Sequence, residues 1–267
     1  MFALALAALL AVALLALLGA RGRLRFVDDE MPSVTRRIAA FLLLWGVLIA
    51  CVFYPTVSPG DAAEVDPQTL WFPSIFLGHL VLAGFLLAWW LLAWPMPVRR
   101  FLRLEGLSAD DISFGLGVGT VGWIVAIGAS AVVAFALIGL GYAPGGGAES
   151  LAEPFEVPPL LLWLTHLPLW RKLIVVAVAM TVEEGFYRAF LQTRIGWLLS
   201  SLLFALSHGG YGLPTLTASV FAISLVIGWA LRRRGNLLPC IVAHGVFDGI
   251  QLLVVMPIAV QHLHTAA

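Results

Sequence analysis

Residues Leu173–Thr193 read LIVVAVAMTVEEGFYRAFLQT. The run is long enough to cross a bilayer core, which takes about 20 apolar residues as a helix. It also carries Glu183, Glu184 and Arg188 near its middle. Each such charge costs about 2.5–3.5 kcal/mol at mid-membrane, so the three together cost roughly 8–10 kcal/mol. Ten good apolar residues return only about 3–6 kcal/mol. A helix of this sequence inserts poorly by itself. It needs neighbouring helices, neutralising partners or water, and intramembrane ionisable groups that are kept at such expense mark a functional site.

The rest of the chain supplies the neighbours. Of 267 residues, 61% are hydrophobic and 11% charged, with a mean hydropathy of +0.99. Soluble domains are near half apolar and a quarter charged. That composition excludes a soluble enzyme and a disordered tail. Fifteen basic and fifteen acidic residues cancel, so no net field recruits a polyanion, and no nucleic-acid partner is expected. Cys51 and Cys240 are too few for a disulfide framework. Apolar runs fall near 2–20, 38–54, 70–94, 113–142, 173–193, 195–211, 215–231 and 237–257. The expected fold is all-α: a polytopic membrane protein of about eight transmembrane helices around a buried polar site. The ten-residue alternation of a membrane barrel is absent from the sequence. Expected divisions are N-terminal membrane helices over 1–142, an outer loop and interfacial segment over 143–172, catalytic helices over 173–257 and a tail over 258–267.

Charge sets the expected orientation. The first run lacks a basic leader, and Arg21, Arg23 and Arg25 follow it, so it reads as a retained span with its N-terminus outside. The inner loops then hold those arginines with Arg36, Arg37, Arg99, Arg100, Arg103, Arg194 and Arg232–Arg234. The outer loops hold Asp61, Glu64, Asp66, Glu149, Glu153 and Glu156; Arg171 and Lys172 break the pattern. Residues 160–170 read as an amphipathic outer-surface segment. The expected place is a cytoplasmic membrane, of a bacterium given the Arg, Ala and Gly usage, with both termini extracytoplasmic.

Polar residues inside the spans narrow the chemistry. Glu184 and Arg188 are four apart and can pair on one helix stripe. Glu183 points about 100° away and shares its stripe with Tyr187. It stays available as a general base. Phe204 and His208 repeat the four-residue spacing, as do His244 and Asp248. Counting turns puts Glu183, His208, His244 and Asp248 at overlapping depths, where they could meet in a water-filled cavity. His79 reads as a hydrogen-bonded packing residue. The acids and histidines could bind a divalent metal, yet the HExxH pattern that presents two histidines on one helix face is missing. Ser200, Ser201 and Ser207 lie in no strained Gly-flanked turn of the kind that exposes a nucleophilic serine. A Glu–His pair activating water needs neither metal nor cofactor.

The stretch Glu183-Glu184-Gly185-Phe186-Tyr187-Arg188 resembles the EExxxR motif of the CAAX protease and bacteriocin-processing family, also called CPBP or Abi intramembrane glutamic proteases. Phe204 to His208 resembles its FxxxH motif, and His244 to Asp248 its HxxxN or HxxxD motif. The three occur in family order on separate helices. The resemblance implies that Glu183 and His208 activate a water, that His244 and Asp248 serve the oxyanion, and that Glu184 and Arg188 support them. An ionised Asp cannot donate to an oxyanion as Asn can, so Asp248 is expected to orient His244 instead.

The function so implied is endopeptidase cleavage of a membrane-associated protein or peptide, within the lipid bilayer and without cofactor or metal. Two other classes share the features. One is a non-catalytic immunity or binding protein on the same fold. The other is a proton-coupled transporter, against which stands the crowding of polar residues into the second half of the chain.

Overall fold

The computed structural model describes residues 31, 33–57, 70–142 and 159–266, together with positions 6, 10, 13–15 and 17. Most of the expected first span, the arginines at 21, 23 and 25, and all six outer-loop acids lie outside the described residues.

The described residues are helical throughout, with no strand among them. Helix α1 (Val34–Leu48) starts at Ser33, whose hydroxyl accepts from the Arg36 amide, and runs on through a π turn, Ile49–Phe53. A 3-10 turn, Phe72–Phe76, leads into α2 (Leu77–Leu92). The short α3 (Val98–Phe101) precedes α4 (Ala109–Gly139), which Ser108 and Asp111 close with a reciprocal capping box. Then come α5 (Pro159–His166) and α6 (Leu169–Glu184). A π-helical stretch, Gly185–Gln192, and a last turn, Thr193–Ile195, carry α6 on without a break. Helices α7 (Trp197–Ser207), α8 (Pro214–Arg234), α9 (Leu238–Ile250) and α10 (Met256–Ala266) complete the described chain. A further π turn, Gln251–Val255, joins the last two.

Among the described residues, five stretches are long and apolar enough to cross a membrane: Val34–Phe53, Phe72–Leu92, Ala109–Gly139, Pro214–Arg234 and Leu238–Gln261. The protein is a multi-pass membrane protein, and large apolar side chains such as Leu116, Ile124, Val132 and Phe135 on α4 face outward. The stretch 169–195 has the length as well, but its charged residues keep it from standing out by composition. The expected count of eight needs one correction in kind. The span read at 195–211 is the eleven-residue α7, about 16 Å long at 1.5 Å per residue. That is roughly half of a 30 Å hydrocarbon core. Gly196, at φ 87, separates it from the preceding helix. A 3-10 turn, Gly209–Tyr211, and Gly212 at φ 68 end it before Pro214 opens α8. The turn after α7 is therefore held part-way through the bundle.

Close backbone approach positions the C-terminal half. Helix α4 packs along both α8 and α9. Its buried face is Gly115, Val118, Gly119, Gly122 and Ala126. A Cβ on Gly119 would lie 2.6 Å from the Ala243 carbonyl oxygen, and one on Gly115 2.7 Å from Val242 Cβ. Small residues at this spacing let membrane helices meet backbone to backbone, where dispersion replaces the hydrophobic drive that lipid cannot supply. Because α9 carries His244, this contact also sets the depth of the polar cluster. Gly119→Val should therefore cost about 1–3 kcal/mol through overpacking. The check is a lower Tm in detergent. Gly117→Ala, on the open side of the same helix with nothing within 4 Å of the added carbon, should leave Tm unchanged.

Candidate active site

The polar residues form two layers joined by Glu183. The inner layer is dry. Glu184 and Arg188, both fully buried, form an ion pair at 3.1 Å. Arg188 Nη2 donates to Ser224 Oγ at 3.0 Å, and the guanidinium lies 5.1 Å from the centre of the Phe204 ring. The other Glu184 oxygen is 2.8 Å from His244 Nδ1. A carboxylate only accepts, so Nδ1 carries the proton. Glu184 thus fixes the tautomer and orientation of His244.

Asp248 is expected to orient His244, and the ring is held from both sides. The residue that orients His244 through Nδ1 is Glu184. Asp248 Oδ2 lies 3.3 Å from the opposite nitrogen, Nε2, and Glu183 Oε2 lies 3.8 Å from that nitrogen. Two carboxylates facing one imidazole nitrogen require a proton between them. The four-residue spacing of His244 and Asp248 placed them on one face as read. Nothing in that spacing could reveal that Glu184, from another helix, holds the far side of the ring.

The outer layer faces open space. A cavity of about 270 Å³ is lined by His79, Glu183, Tyr187, Ser207, His208 and Tyr211, with Cys51 and Pro55 from the end of the first helical stretch. Liquid water takes about 30 Å³ per molecule, so the space holds several. His208 caps the half-length α7. Its Nδ1 lies 2.9 Å from the Phe204 carbonyl oxygen and therefore donates to it. In the neutral ring Nε2 is then left as a lone pair, able to accept a proton. Phe204 packs edge-on against Tyr187 at 4.9 Å between centroids, against His208 at 4.8 Å and against His244 at 5.9 Å. It is the apolar hinge between the two layers.

The structure brings Glu183 and His208 to one cavity wall. His244 and Asp248 do not line that cavity; His244 lies 3.8 Å from Glu183, which does. His79, read from the sequence as a hydrogen-bonded packing residue, is the partner that reading did not connect to the site. Its Nε2 lies 3.0 Å from Glu183 Oε1. Glu183 is thus hydrogen-bonded at Oε1, has His244 Nε2 3.8 Å from Oε2, and is not the unpartnered acid that helix geometry alone suggested. His79 comes from α2, 104 positions away in sequence, and no local pattern flags it. The only available signal was the rarity of a histidine within an apolar run.

Residues 165–250 match the family model described as Type II CAAX prenyl endopeptidase, Rce1-like. All three motifs lie inside the match, and the resemblance drawn from them is borne out there. No curated protein and no solved structure matches the chain.

Removing Glu184 would strand Arg188 in a dry site and release His244. Breaking a buried pair from one side costs about 3–5 kcal/mol. Glu184→Ala should accordingly lower both membrane yield and detergent Tm. A Tm equal to that of the unmutated protein would remove this supporting role.

Proposed function

We propose that this protein is an intramembrane endopeptidase of glutamic type, cleaving a membrane-associated protein or peptide. The observation that supports it best is the shared cavity of Glu183 and His208, with His79 on the outer oxygen of Glu183. In this reading a cavity water gives a proton to Glu183 and attacks the scissile carbonyl carbon. His208 Nε2 aligns the water. The proton taken by Glu183 passes to the leaving amine, so water adds across the C–N bond and no covalent enzyme intermediate forms. As Glu183 loses its charge, its hold on the His79 N–H weakens, which frees that donor for the oxyanion. His244, kept in place by Glu184, and Asp248 retain the proton balance behind Glu183.

Orientation follows from where the charges gather. Arg36 donates to the Leu92 carbonyl, the Arg103 carbonyl accepts from Leu237, and Arg234 lies 3.9 Å from Asp111. These contacts collect the arginines of three segments at one end of the bundle. The positive-inside rule puts that end in the cytoplasm. The cavity lies toward the other end: His79 precedes Leu92 by 13 residues, about 20 Å of helix. A substrate would reach the site from the extracytoplasmic half of the membrane.

The test uses Glu183→Gln. The amide oxygen can still accept from His79, so the fold is kept, but the group cannot take a proton from water. General base catalysis contributes about 10²–10⁴-fold, and cleavage should fall by that factor with Tm unchanged. The readout is comparative peptidomics of membranes carrying either form. Identical peptide sets would sink the protease reading.

A ligand role for Glu183 would remove the acid needed as base. Purified protein should therefore keep its activity after prolonged dialysis against a strong chelator. Loss there, restored by zinc alone, would replace the mechanism with a metal-assisted one. His79→Phe should lower cleavage about 10–100-fold, within the range for a positioned donor, and His79→Gln should recover part of it. Equal activity of both variants with the unmutated protein would exclude His79 from the chemistry.

A further inference from the structure

At the arginine-rich end, away from the polar cavity, two other cavities adjoin. One, of about 460 Å³, is walled by Arg100, Arg103 and Arg194, with Glu105 and Thr193. Three guanidinium groups against one carboxylate leave it net positive. The second, of about 300 Å³, is apolar and lined by Ala83, Leu86, Leu87, Trp90 and Ile241. Phe101 belongs to both walls. A charged chamber opening beside an apolar one, at the level of a membrane interface, matches a molecule with one anionic and one hydrocarbon end.

The basic wall is built rather than loose. Arg103 is the one non-glycine residue at positive φ among the described residues, at 52°. Its carbonyl is tied to the Leu237 amide at 2.9 Å. Non-glycine residues persist in that region only when their surroundings impose it, and such positions cluster at ligand clamps. Arg194 lies 3.9 Å over the Phe190 ring and donates to the Phe190 carbonyl, which fixes its direction. Trp90 donates to the Met96 carbonyl at 2.7 Å, and Trp94 packs against it. Tryptophans anchored this way mark the headgroup level of a bilayer.

We infer that these two cavities hold one anionic phospholipid. Its phosphodiester lies between Arg100, Arg103 and Arg194, and one acyl chain enters the apolar cavity. Basic pockets between helices on the cytoplasmic side are suited to acidic headgroups. A free phosphate would use the arginines but leave the apolar chamber without a partner. The chain would lie against Thr181, Val182 and Gly185, which flank the paired glutamates. The lipid would therefore brace the turn that carries them, from the side opposite the water-filled cavity.

The test is lipid retention by the purified full-length protein, read by native mass spectrometry and thermal shift. Phosphatidylglycerol, phosphatidylcholine and inorganic phosphate are added separately. Phosphatidylglycerol should be retained at least ten-fold better than phosphatidylcholine, and it alone should raise Tm. The double variant Arg100→Gln/Arg103→Gln should lose that preference. Ala83→Phe, which fills the apolar chamber without touching the arginines, should lower retention about ten-fold and keeps the test decisive if the double variant does not fold. Equal retention of phosphatidylcholine would overturn the inference. So would a Tm rise with inorganic phosphate matching that with lipid, which would mean an anion site only. Undiminished phosphatidylglycerol binding in Ala83→Phe would also exclude the acyl chain from this chamber.

Discussion

The arrangement depends on a carboxylate that is shut off from the surface. Glu184 is fully buried and divides its two oxygens between Arg188 and His244. In a low-dielectric interior a charge left without partners is far more expensive than one that is matched. That penalty couples the helices: α6 brings the glutamate, the π stretch after it brings the arginine, α8 brings Ser224 and α9 brings His244. If any of the four shifts in rotation or depth, a buried charge or donor loses its partner. The polar core specifies the bundle more sharply than the surrounding Leu, Val and Phe contacts, which tolerate sliding.

Backbone irregularities serve the same end. The helix leaves α geometry directly after Glu184, and all eight residues of the π stretch are buried. Such turns displace side chains relative to a regular helix and concentrate at functional sites. Here the stretch seats Arg188 on Ser224 and Gln192 on the Gly228 carbonyl. Helix α7 ends part-way through the bundle for a related reason. A full span would carry His208 past the cavity. A half-length helix capped by a histidine puts the imidazole, and the backbone turn beyond it, beside water. Irregular backbone at this depth is tolerated where it borders a cavity rather than lipid.

The two ends of the bundle differ in chemistry. One end gathers arginines around an amphipathic pair of cavities. The other opens the polar cavity between His79, His208 and Tyr211 and carries the aromatic contacts of Phe72 with Trp163 and Trp170.

The sequence by itself determined that the chain is a helical membrane protein. No other structure accommodates such apolar runs in lipid, and three charges within one of them demand partners. It also determined the Glu184–Arg188 pair, because a spacing of four is a purely local constraint on a helix. The order of the three polar motifs was equally legible, and with it the candidate residues Glu183, His208, His244 and Asp248. Tertiary structure decided the rest. His79 meets Glu183 because α2 packs beside α6, and nothing within α2 encodes that meeting. Glu184 joins Asp248 on the His244 ring, meeting Nδ1 from another helix while Asp248 faces Nε2. The half-length of α7 depends on glycine conformations at 196 and 212 that an apolar run conceals. Spacing along one helix fixes which side chains share a face. Which face meets which neighbour, and at what depth, is set by the rotation and approach of whole helices, and here those follow from the glycine face of α4 and the dry ion pair.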